Sequence, residues 1–323
     1  MALSEFEIIR RFFTSRARSA VLGVGDDAAI VRARRGFDLV VTTDLLAAGR
    51  HFRHDADPRG IGHKALAVNL SDVAAMGGQP RWATLALALP GADARWLAGF
   101  SRGFMRLARR HGVDLIGGDT TRGPLAICVQ LIGEVPAGHA LRRDGARAGD
   151  DVWVSGHLGD AALLLAATAG RVPLSARERA RLAPRLHTPV PRVSLGIALR
   201  GLAGSAIDIS DGLLSDLGHV CERSGVGAVV DLAQIPCSAT MRRHLSRAPA
   251  RAALLSGGDD YELCFTARRR ERERIARVAC RQRLPVTRIG RIVPAKSGAA
   301  QVTVVDRDGR ALTLKQKGFD HFG

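Results

Sequence analysis

Five short segments of this chain each place one or two aspartates among glycine, serine or threonine. The acids are spread over most of the sequence, in GVGDDAA (Asp26, Asp27), VTTDLLAAGRHF (Asp44), NLSDVAAMGG (Asp72), GGDTTRGP (Asp119) and DISDGL (Asp208, Asp211). Clusters of carboxylates and hydroxyls are typical of ion binding. We therefore expect a fold that brings these distant segments together at one site.

The segment Val41–Phe52 begins as a β-branched run, which predicts a buried strand. Its carboxyl end would present Thr42, Thr43 and Asp44. The short strand Val113–Ile116 likewise precedes GGDTTRGP, so we expect Asp119, like Asp44, just past the end of a strand, where α/β folds usually bind ligands.

A helix is predicted from Pro58, with Asp57 as its N-cap, through Asp72 to a glycine stop. The spacing of its apolar residues places Asp72 on the apolar face. A carboxylate there is costly unless it is paired, hydrogen-bonded or bound to a metal. An internal salt bridge, for example to Lys64, is one interpretation; the other acidic segments favour a ligand-binding role.

Strands at Trp82–Leu89 and Leu125–Val135 and a helix at Ala94–His111 continue the alternation of the two hydrophobic periods, which predicts an α/β (α+β) chain. The 323 residues, of which 46% are hydrophobic, suggest two domains. We expect an N-terminal domain at 1–137, a turn-rich connector at 138–150 and a C-terminal domain at 151–323.

The second half restarts with the strand DVWVSG and a glycine-flanked helix N-terminus near Gly159 that could face a phosphate. Sequence patterns for the P-loop, the dinucleotide-binding turn and the protein kinases are absent. If the chain uses ATP, it does so with another fold.

The formal net charge of +17 raises the question of nucleic acid. Only four of the 48 basic residues are lysines, and the arginine-rich runs lack interleaved aromatics, so we expect a solvated surface and no nucleic-acid partner. Five widely spaced cysteines without C-x-x-C indicate reduced thiols rather than disulfides or zinc. No run is long enough to span a membrane and no signal peptide is evident, so we expect a cytoplasmic location.

Grouped carboxylates repel one another unless cations neutralise them. All-oxygen ligands favour a hard ion such as Mg²⁺, which proteins usually bind together with substrate phosphates. The pattern therefore indicates phosphoryl chemistry on a nucleotide.

Eight segments in order resemble the thiamine-monophosphate kinase family, which belongs to the aminoimidazole ribonucleotide synthetase and selenophosphate synthetase superfamily. The segments are GVGDDAA, TTDLLAAGRHF, KALAVNLSDVAAMG, LIGGDTTRGP, LRRDGARAGD, DISDGL, SGGDDYELCF and KGFDHF. The resemblance implies two α/β domains, an N-terminal sheet that closes a barrel across a homodimer, and a C-terminal domain that completes the cleft for ATP and substrate.

The same resemblance implies the roles of individual residues. Several magnesium ions would be held by Asp27, Thr42, Thr43, Asp44, Asp72, Asp119, Asp208 and Asp211. Gly118, Asp119, Arg143 and Ser210 would contact ATP, and His51, Asp259 and Phe319 would face the thiamine moiety. The family usually has Glu where this chain has Asp259, a shorter acid with a shorter reach.

The implied reaction transfers the γ-phosphoryl group of ATP to thiamine monophosphate in line, with Mg²⁺ and without a general base, and gives thiamine diphosphate, the last step of that biosynthesis. Two alternatives remain open at this point. Another ATP-using enzyme of the superfamily would share the metal residues but would not need His51, Asp259 and Phe319. A basic nucleic-acid-binding protein would need no ATP.

Overall fold

The computed structural model describes residues 3–295 and 300–312. The chain forms two compact units, one of residues 1–73 and 78–138 and the other of residues 74–77 and 139–323. The predicted Phe319 lies outside the described residues. Each unit is considered by itself below.

The first unit combines a four-stranded sheet with helices. Its elements are α1 (Glu5–Ile8), a π-helical turn (Ile9–Phe13), β1 (Phe37–Ala47), α2 (Pro58–Ala75), β2 (Gln79–Leu89), α3 (Ala94–His111), β3 (Asp114–Arg122) and β4 (Ala126–Pro136). The strands are ordered β1-β4-β2-β3, and only β2 and β3 run parallel. The sheet is therefore mixed.

The two long helices begin and end where the sequence predicts. The Asp93 carboxylate accepts N–H bonds at the start of α3, and Gly112 ends the helix in the left-handed conformation. The aromatic side chains of α3 belong to the core: Phe100 and Phe104 are fully buried, and Phe100 stacks on Trp96. They are packing residues, as expected for a helix that covers a sheet.

Strand β1 is longer and less buried than the sequence suggests. It pairs with β4 along its whole length, from Phe37 with Pro136 to Ala47 with Ala126. Asp44 therefore lies inside the strand, and the expectation that it follows the strand end is wrong. The apolar residues Val41 and Leu45 are 56% and 59% exposed, so β1 is not a buried strand.

The expectation for Asp119 is wrong for the same reason. Strand β3 continues through Asp119 to Arg122, and Asp119 lies opposite Ala86 of β2. Gly118 makes this pairing possible because a Cβ atom there would come 1.9 Å from the Leu85 carbonyl oxygen. Glycine accepts both the close approach and the φ of +152°.

The second unit is built on a six-stranded sheet. Its elements are β5 (Asp151–Ser155), α4 (Asp160–Thr168), α5 (Ala176–His187), α6 (Val193–Ala198), β6 (Ala203–Asp208), α7 (Leu213–Ser224), β7 (Val226–Asp231), α8 (Ala239–His244), α9 (Ala248–Ser256), β8 (Leu263–Ala267), α10 (Arg272–Gln282), β9 (Val286–Pro294) and β10 (Val302–Val305). The strand order is β10-β7-β9-β5-β8-β6, with only β10 and β7 parallel.

The core of the second unit is rich in aliphatic side chains from β5, α4, α7 and α9, such as Val152, Leu163, Leu217 and Leu254. Apolar burial of this extent is the main stabilising contribution in a domain of this size. It provides a rigid support for the loops that leave β6 and enter β8.

Candidate functional site

Two acids of the first unit face each other. The carboxyl groups of Asp44, on β1, and Asp72, on α2, are hydrogen-bonded, and the Thr42 hydroxyl donates to Asp72 Oδ2 at 2.5 Å. Thr42 and Asp44 share one face of β1 because side chains alternate along a strand. The structure thus brings together three of the predicted metal residues.

The proximity of the two carboxyl groups changes the pKa of Asp44. Burial, followed by the charge of Asp72 and the hydrogen bond to it, raises the pKa of Asp44 to about 7. Two adjacent carboxylates retain both charges only when a cation replaces the shared proton. The all-oxygen donor set of Thr42, Asp44 and Asp72 fits Mg²⁺ better than Zn²⁺.

Thr43 and His51 occupy different surroundings. Strand alternation directs the Thr43 side chain to the face opposite Thr42 and Asp44, so its hydroxyl does not face the acid pair. His51 lies beyond the end of β1, where its Nδ1 accepts the Ala47 N–H at 3.0 Å. An accepting Nδ1 leaves Nε2 as the nitrogen that carries a proton in the neutral ring.

A cavity of about 900 Å³ in the first unit contains three further predicted residues, Asp27, Gly118 and Asp119. Its apolar lining includes Phe6 from α1 and Leu85 from β2. Such a combination of apolar surface and a few polar groups is typical of ligand pockets.

In the second unit, three predicted residues follow one another at the end of β6. Asp208 is the last residue of the strand and is 4% exposed; Ser210 and Asp211 form the turn into α7. Gly212 is the N-cap of α7 and makes no side-chain cap bond. The backbone N–H groups of Ser210, Asp211 and Gly212 instead donate to Asp216 Oδ2, at 3.0, 3.1 and 3.1 Å.

The segment with Asp259 pairs with this turn. The Asp259 N–H donates to the Ser210 carbonyl at 2.9 Å, and the Tyr261 N–H donates to the Ile209 carbonyl at 2.8 Å. Asp259 has a φ of 69° and Tyr261 a φ of 51°, which is uncommon outside glycine. The Tyr261 hydroxyl donates to Asp259 Oδ1 at 2.9 Å, so the predicted acceptor residue is held beside the predicted nucleotide residue.

The helix N-terminus near Gly159 does not offer its first N–H to a phosphate. The Gly159 N–H donates to both carboxylate oxygens of the buried Asp260, each at 2.9 Å. Burial raises the pKa of Asp260 well above its ordinary value, and the Gly159 N–H works against that shift. An internal carboxyl group therefore takes the place that the sequence suggested for a ligand.

Next to it, Glu262 is fully buried and ion-paired. Arg192 Nε donates to Glu262 Oε2 at 2.6 Å, and Arg185 Nη2 donates to Glu262 Oε1 at 3.0 Å. These bonds compensate the cost of burying the charge. They also hold the residue that directly follows the strained Tyr261.

Arg143 lies beside β6. The carbonyl of the preceding Arg142 accepts the Ala206 N–H at 3.0 Å, and the Arg143 carbonyl accepts the Ser224 hydroxyl at 2.8 Å. The backbone of Arg143 is thus fixed while its side chain is exposed. Its exposed guanidinium suits an anionic ligand.

Within residues 3–295 and 300–312, no three His, Cys, Asp or Glu side chains are grouped closely enough for a metal ion. Across the same residues, no helix is long and apolar enough to cross a membrane. All five cysteines are free thiols.

Two residues of the site were not identified from the sequence. Asp216 occupies the first turn of α7, where an acid is ordinary helix chemistry. Tyr261 is the chain's only tyrosine, yet nothing in its spacing predicts a bond to Asp259. The five-residue separation of Asp211 and Asp216 was the one available signal, because it places an acceptor below the turn.

Comparison with models of known protein families identifies the class to which this chain belongs. The family model for "AIR synthase related protein, N-terminal domain" matches residues 25–135, and that for "AIR synthase related protein, C-terminal domain" matches residues 147–303. Together the two models cover most of the chain, which therefore has the two-domain AIR synthase related architecture.

Comparison with individual proteins identifies the family within this class. The chain is 45% identical to the thiamine-monophosphate kinase of Escherichia coli (strain K12) over 327 aligned positions, which cover 100% of this chain and 99% of that protein. A crystal structure of thiamine-monophosphate kinase from Stenotrophomonas maltophilia K279a superposes with a TM-score of 0.86 at 48% identity, covering 97% of this chain and 99% of that one. A structure of AaThiL complexed with AMPPCP and TMP has a TM-score of 0.75 at 31% identity and covers 98% and 96% of the two chains.

The chain belongs to the thiamine-monophosphate kinase family. It is an enzyme of the kinase class, and the resemblance inferred from its motifs is confirmed.

Proposed function

We propose that this enzyme transfers the γ-phosphoryl group of ATP to the phosphate of thiamine monophosphate and releases thiamine diphosphate and ADP. The 45% identity to the thiamine-monophosphate kinase of Escherichia coli (strain K12), which extends over the whole chain, supports ATP and thiamine monophosphate as the substrates. The observation within the molecule that carries the proposal is the Asp44–Asp72 acid pair with the Thr42 hydroxyl. Its carboxylate and hydroxyl oxygens suit the magnesium that accompanies a nucleotide.

In the first unit we assign Thr42, Asp44 and Asp72 to magnesium, together with Asp27, Asp119 and the backbone of Thr43. Bound Mg²⁺ would supply neutralisation of the phosphate charge. With Mg²⁺ bound, both the Asp44 and the Asp72 carboxyl groups would be ionised, and the regular elements β1 and α2 would hold them in position. His51 is assigned to the acceptor.

We assign the cavity next to Gly118 to the nucleotide. Its apolar lining suits a heteroaromatic base, while Asp27 and Asp119 provide polar groups on the same lining.

In the second unit we assign Asp208 and Asp211 to magnesium, and Ser210 and Arg143 to ATP. Asp259 is assigned to the acceptor, supported by its bond to the Ser210 carbonyl. Phe319, a further predicted acceptor residue, lies outside the described part of the chain.

These residues act by position and charge. A phosphate oxygen is already ionised near neutral pH, so no side chain has to remove a proton from the acceptor. The side chains instead align the acceptor oxygen with the γ-phosphorus, and Arg143 stabilises negative charge in the loose transition state.

We also propose a homodimer through β1. This strand is an edge of its sheet and exposes Leu39, Val41 and Leu45, at 46, 56 and 59%. An edge strand with exposed apolar side chains favours pairing with another copy. Light scattering of the wild type and of Leu45→Asp tests it, since the variant should be monomeric. Free cysteines are compatible with the cytoplasmic location that we propose.

The decisive experiment measures ADP release by the purified enzyme with ATP, excess Mg²⁺ and either thiamine monophosphate or thiamine. We expect turnover with the monophosphate and little with thiamine, which lacks the acceptor phosphate. Equal turnover with both, or ADP release independent of either, would contradict the proposal.

A further inference from the structure

We propose that Asp216 is a positioning residue that sets the backbone of the Ser210–Gly212 turn, and through it the side chains assigned to nucleotide and magnesium. The inference rests on the function proposed above. Asp216 itself is not assigned to a ligand: it is 3% exposed and lies beneath the turn on α7.

One carboxylate oxygen of Asp216 accepts three hydrogen bonds from the turn. Asp216 Oδ2 accepts the N–H groups of three consecutive residues, Ser210, Asp211 and Gly212. Three bonds to one oxygen orient three successive peptide units.

The carbonyl groups on the opposite side of the same turn are also hydrogen-bonded. The Ser210 carbonyl accepts the Asp259 N–H, and the Ile209 carbonyl accepts the Tyr261 N–H. A Cβ atom at Gly258 would lie 2.1 Å from the Ser210 carbonyl oxygen, so the two backbones are in contact. The turn is therefore held by its carbonyls from one side and by its N–H groups, through Asp216, from the other.

Simple helix capping does not fully explain the three hydrogen bonds to Asp216. A capping side chain normally sits at the N-cap and bonds N–H groups inside the helix. Here the N-cap is Gly212, which has no side chain, and the acceptor reaches back from inside α7 to residues that precede it. Asp216 therefore orders the loop rather than only the helix.

The test measures equilibrium binding of Mg²⁺–AMPPCP by calorimetry, with no acceptor present, for the wild type, Asp216→Asn and Asp216→Ala. We expect the Kd to rise about threefold for Asn, which keeps one acceptor oxygen, and about tenfold or more for Ala. In turnover assays, the Mg²⁺ concentration for half-maximal rate should rise in the same order. Asp216→Asn should therefore bind Mg²⁺–AMPPCP with a Kd between those of the wild type and Asp216→Ala.

The matched control is Asp151→Asn. Asp151 is 2% exposed and pairs with Arg272 at 2.6 Å, so its substitution also removes a buried charge from the second unit. We expect a lower Tm but an unchanged Kd. A purely structural Asp216 would behave like Asp151.

Wild-type Kd values in both Asp216 variants would overturn the inference. If Asp216→Ala does not fold, a wild-type Kd in Asp216→Asn decides against it by itself. The binding assay is independent of the acceptor: a wild type that binds Mg²⁺–AMPPCP but makes no thiamine diphosphate contradicts the proposed function, and the Kd comparison still decides on Asp216.

Discussion

Asp44 in the first unit, which is partly buried, and Asp216 in the second, which is buried, are both acids whose pKa is raised to about 7, yet they have opposite surroundings. In each, burial is the largest cause of the raised pKa. Asp44 then meets the charge of Asp72 and shares a hydrogen bond with it, whereas Asp216, beside the charge of Asp211, accepts three backbone N–H groups that favour its ionised form.

The difference separates a ligand site from a positioning element. Backbone donors stabilise Asp216 from within the fold, so that site is complete when the chain has folded. The Asp44–Asp72 pair brings two acids together, and a bound cation would favour the form in which both are ionised.

Replacement of one acid of the pair should nearly abolish turnover. We expect Asp72→Asn or Asp44→Asn to lower kcat by on the order of a thousandfold, because each removes a charged oxygen while keeping the side-chain shape. Initial rates at saturating Mg²⁺ measure this, and circular dichroism should show an intact fold.

Asp38→Asn is the control for these variants. Asp38 lies on the same strand, β1, but is exposed and accepts only a long bond of 3.3 Å from the Gly138 N–H among its described contacts. It should keep the wild-type rate. Near wild-type turnover in Asp44→Asn or Asp72→Asn would remove that residue from the proposed metal site.

Much of the scaffold around these residues is predictable from sequence because its signals are local. Helix α3 has Asp93 at its start and Gly112 after its end, and both bounds are confirmed. The predicted strand ends before Asp44 and Asp119 are wrong. Glycine, threonine and aspartate are common in turns, but pairing with β4 and β2 holds these two segments extended. The Asp44–Asp72 pair was expected from composition, but the bond itself joins elements far apart in sequence.

The contacts of the second unit were less predictable. Asp216 was not identified because its partners are backbone N–H groups, which no residue type marks, and its separation from Asp211 is the only signal in the sequence. The sequence suggests that the helix N-terminus at Gly159 could face a phosphate, because nothing local shows that Asp260 occupies it. Whether the acids of both units serve one reaction remains a prediction.

Asp259 should affect the acceptor more than the nucleotide. We expect Asp259→Ala to raise the KM for thiamine monophosphate about tenfold, with a change in the KM for ATP below about twofold. A residue that only stabilises the turn would raise both constants alike. Asp259→Glu, which restores the acid usual in the family, should retain acceptor use; a severe loss would show that this chain packs the acceptor differently.

The acid pair also predicts how stability depends on pH. The folded pKa of Asp44, about 7, lies above its ordinary value of 3.8, so the folded state holds a proton that the unfolded state releases. This contribution is fully present below about pH 4 and is lost as pH rises through 7. Without Mg²⁺, the free energy of unfolding should fall by on the order of 2 kcal/mol between pH 5 and pH 8 relative to Asp44→Asn.

Urea denaturation of the wild type and Asp44→Asn at a series of pH values measures this difference. Mg²⁺ should stabilise the wild type at pH 8 and have less effect on the variant, since the cation replaces the lost proton. Parallel pH profiles for the two proteins would show that the shared proton does not contribute.

The smallest effect concerns Tyr261, where the second unit uses a side-chain donor in place of a backbone one. Its hydroxyl donates to Asp259 Oδ1, so Tyr261→Phe removes one hydrogen bond and keeps the buried ring. We expect a two- to threefold rise in the KM for thiamine monophosphate, with kcat and the KM for ATP unchanged, because one neutral donor contributes only about 0.5 kcal/mol. In the Asp259→Ala background the same change should have no further effect, since the hydroxyl then lacks the carboxylate that it orients. Additive effects in the double variant would mean that Tyr261 acts on the acceptor by another route, and that the turn is held by its backbone bonds alone.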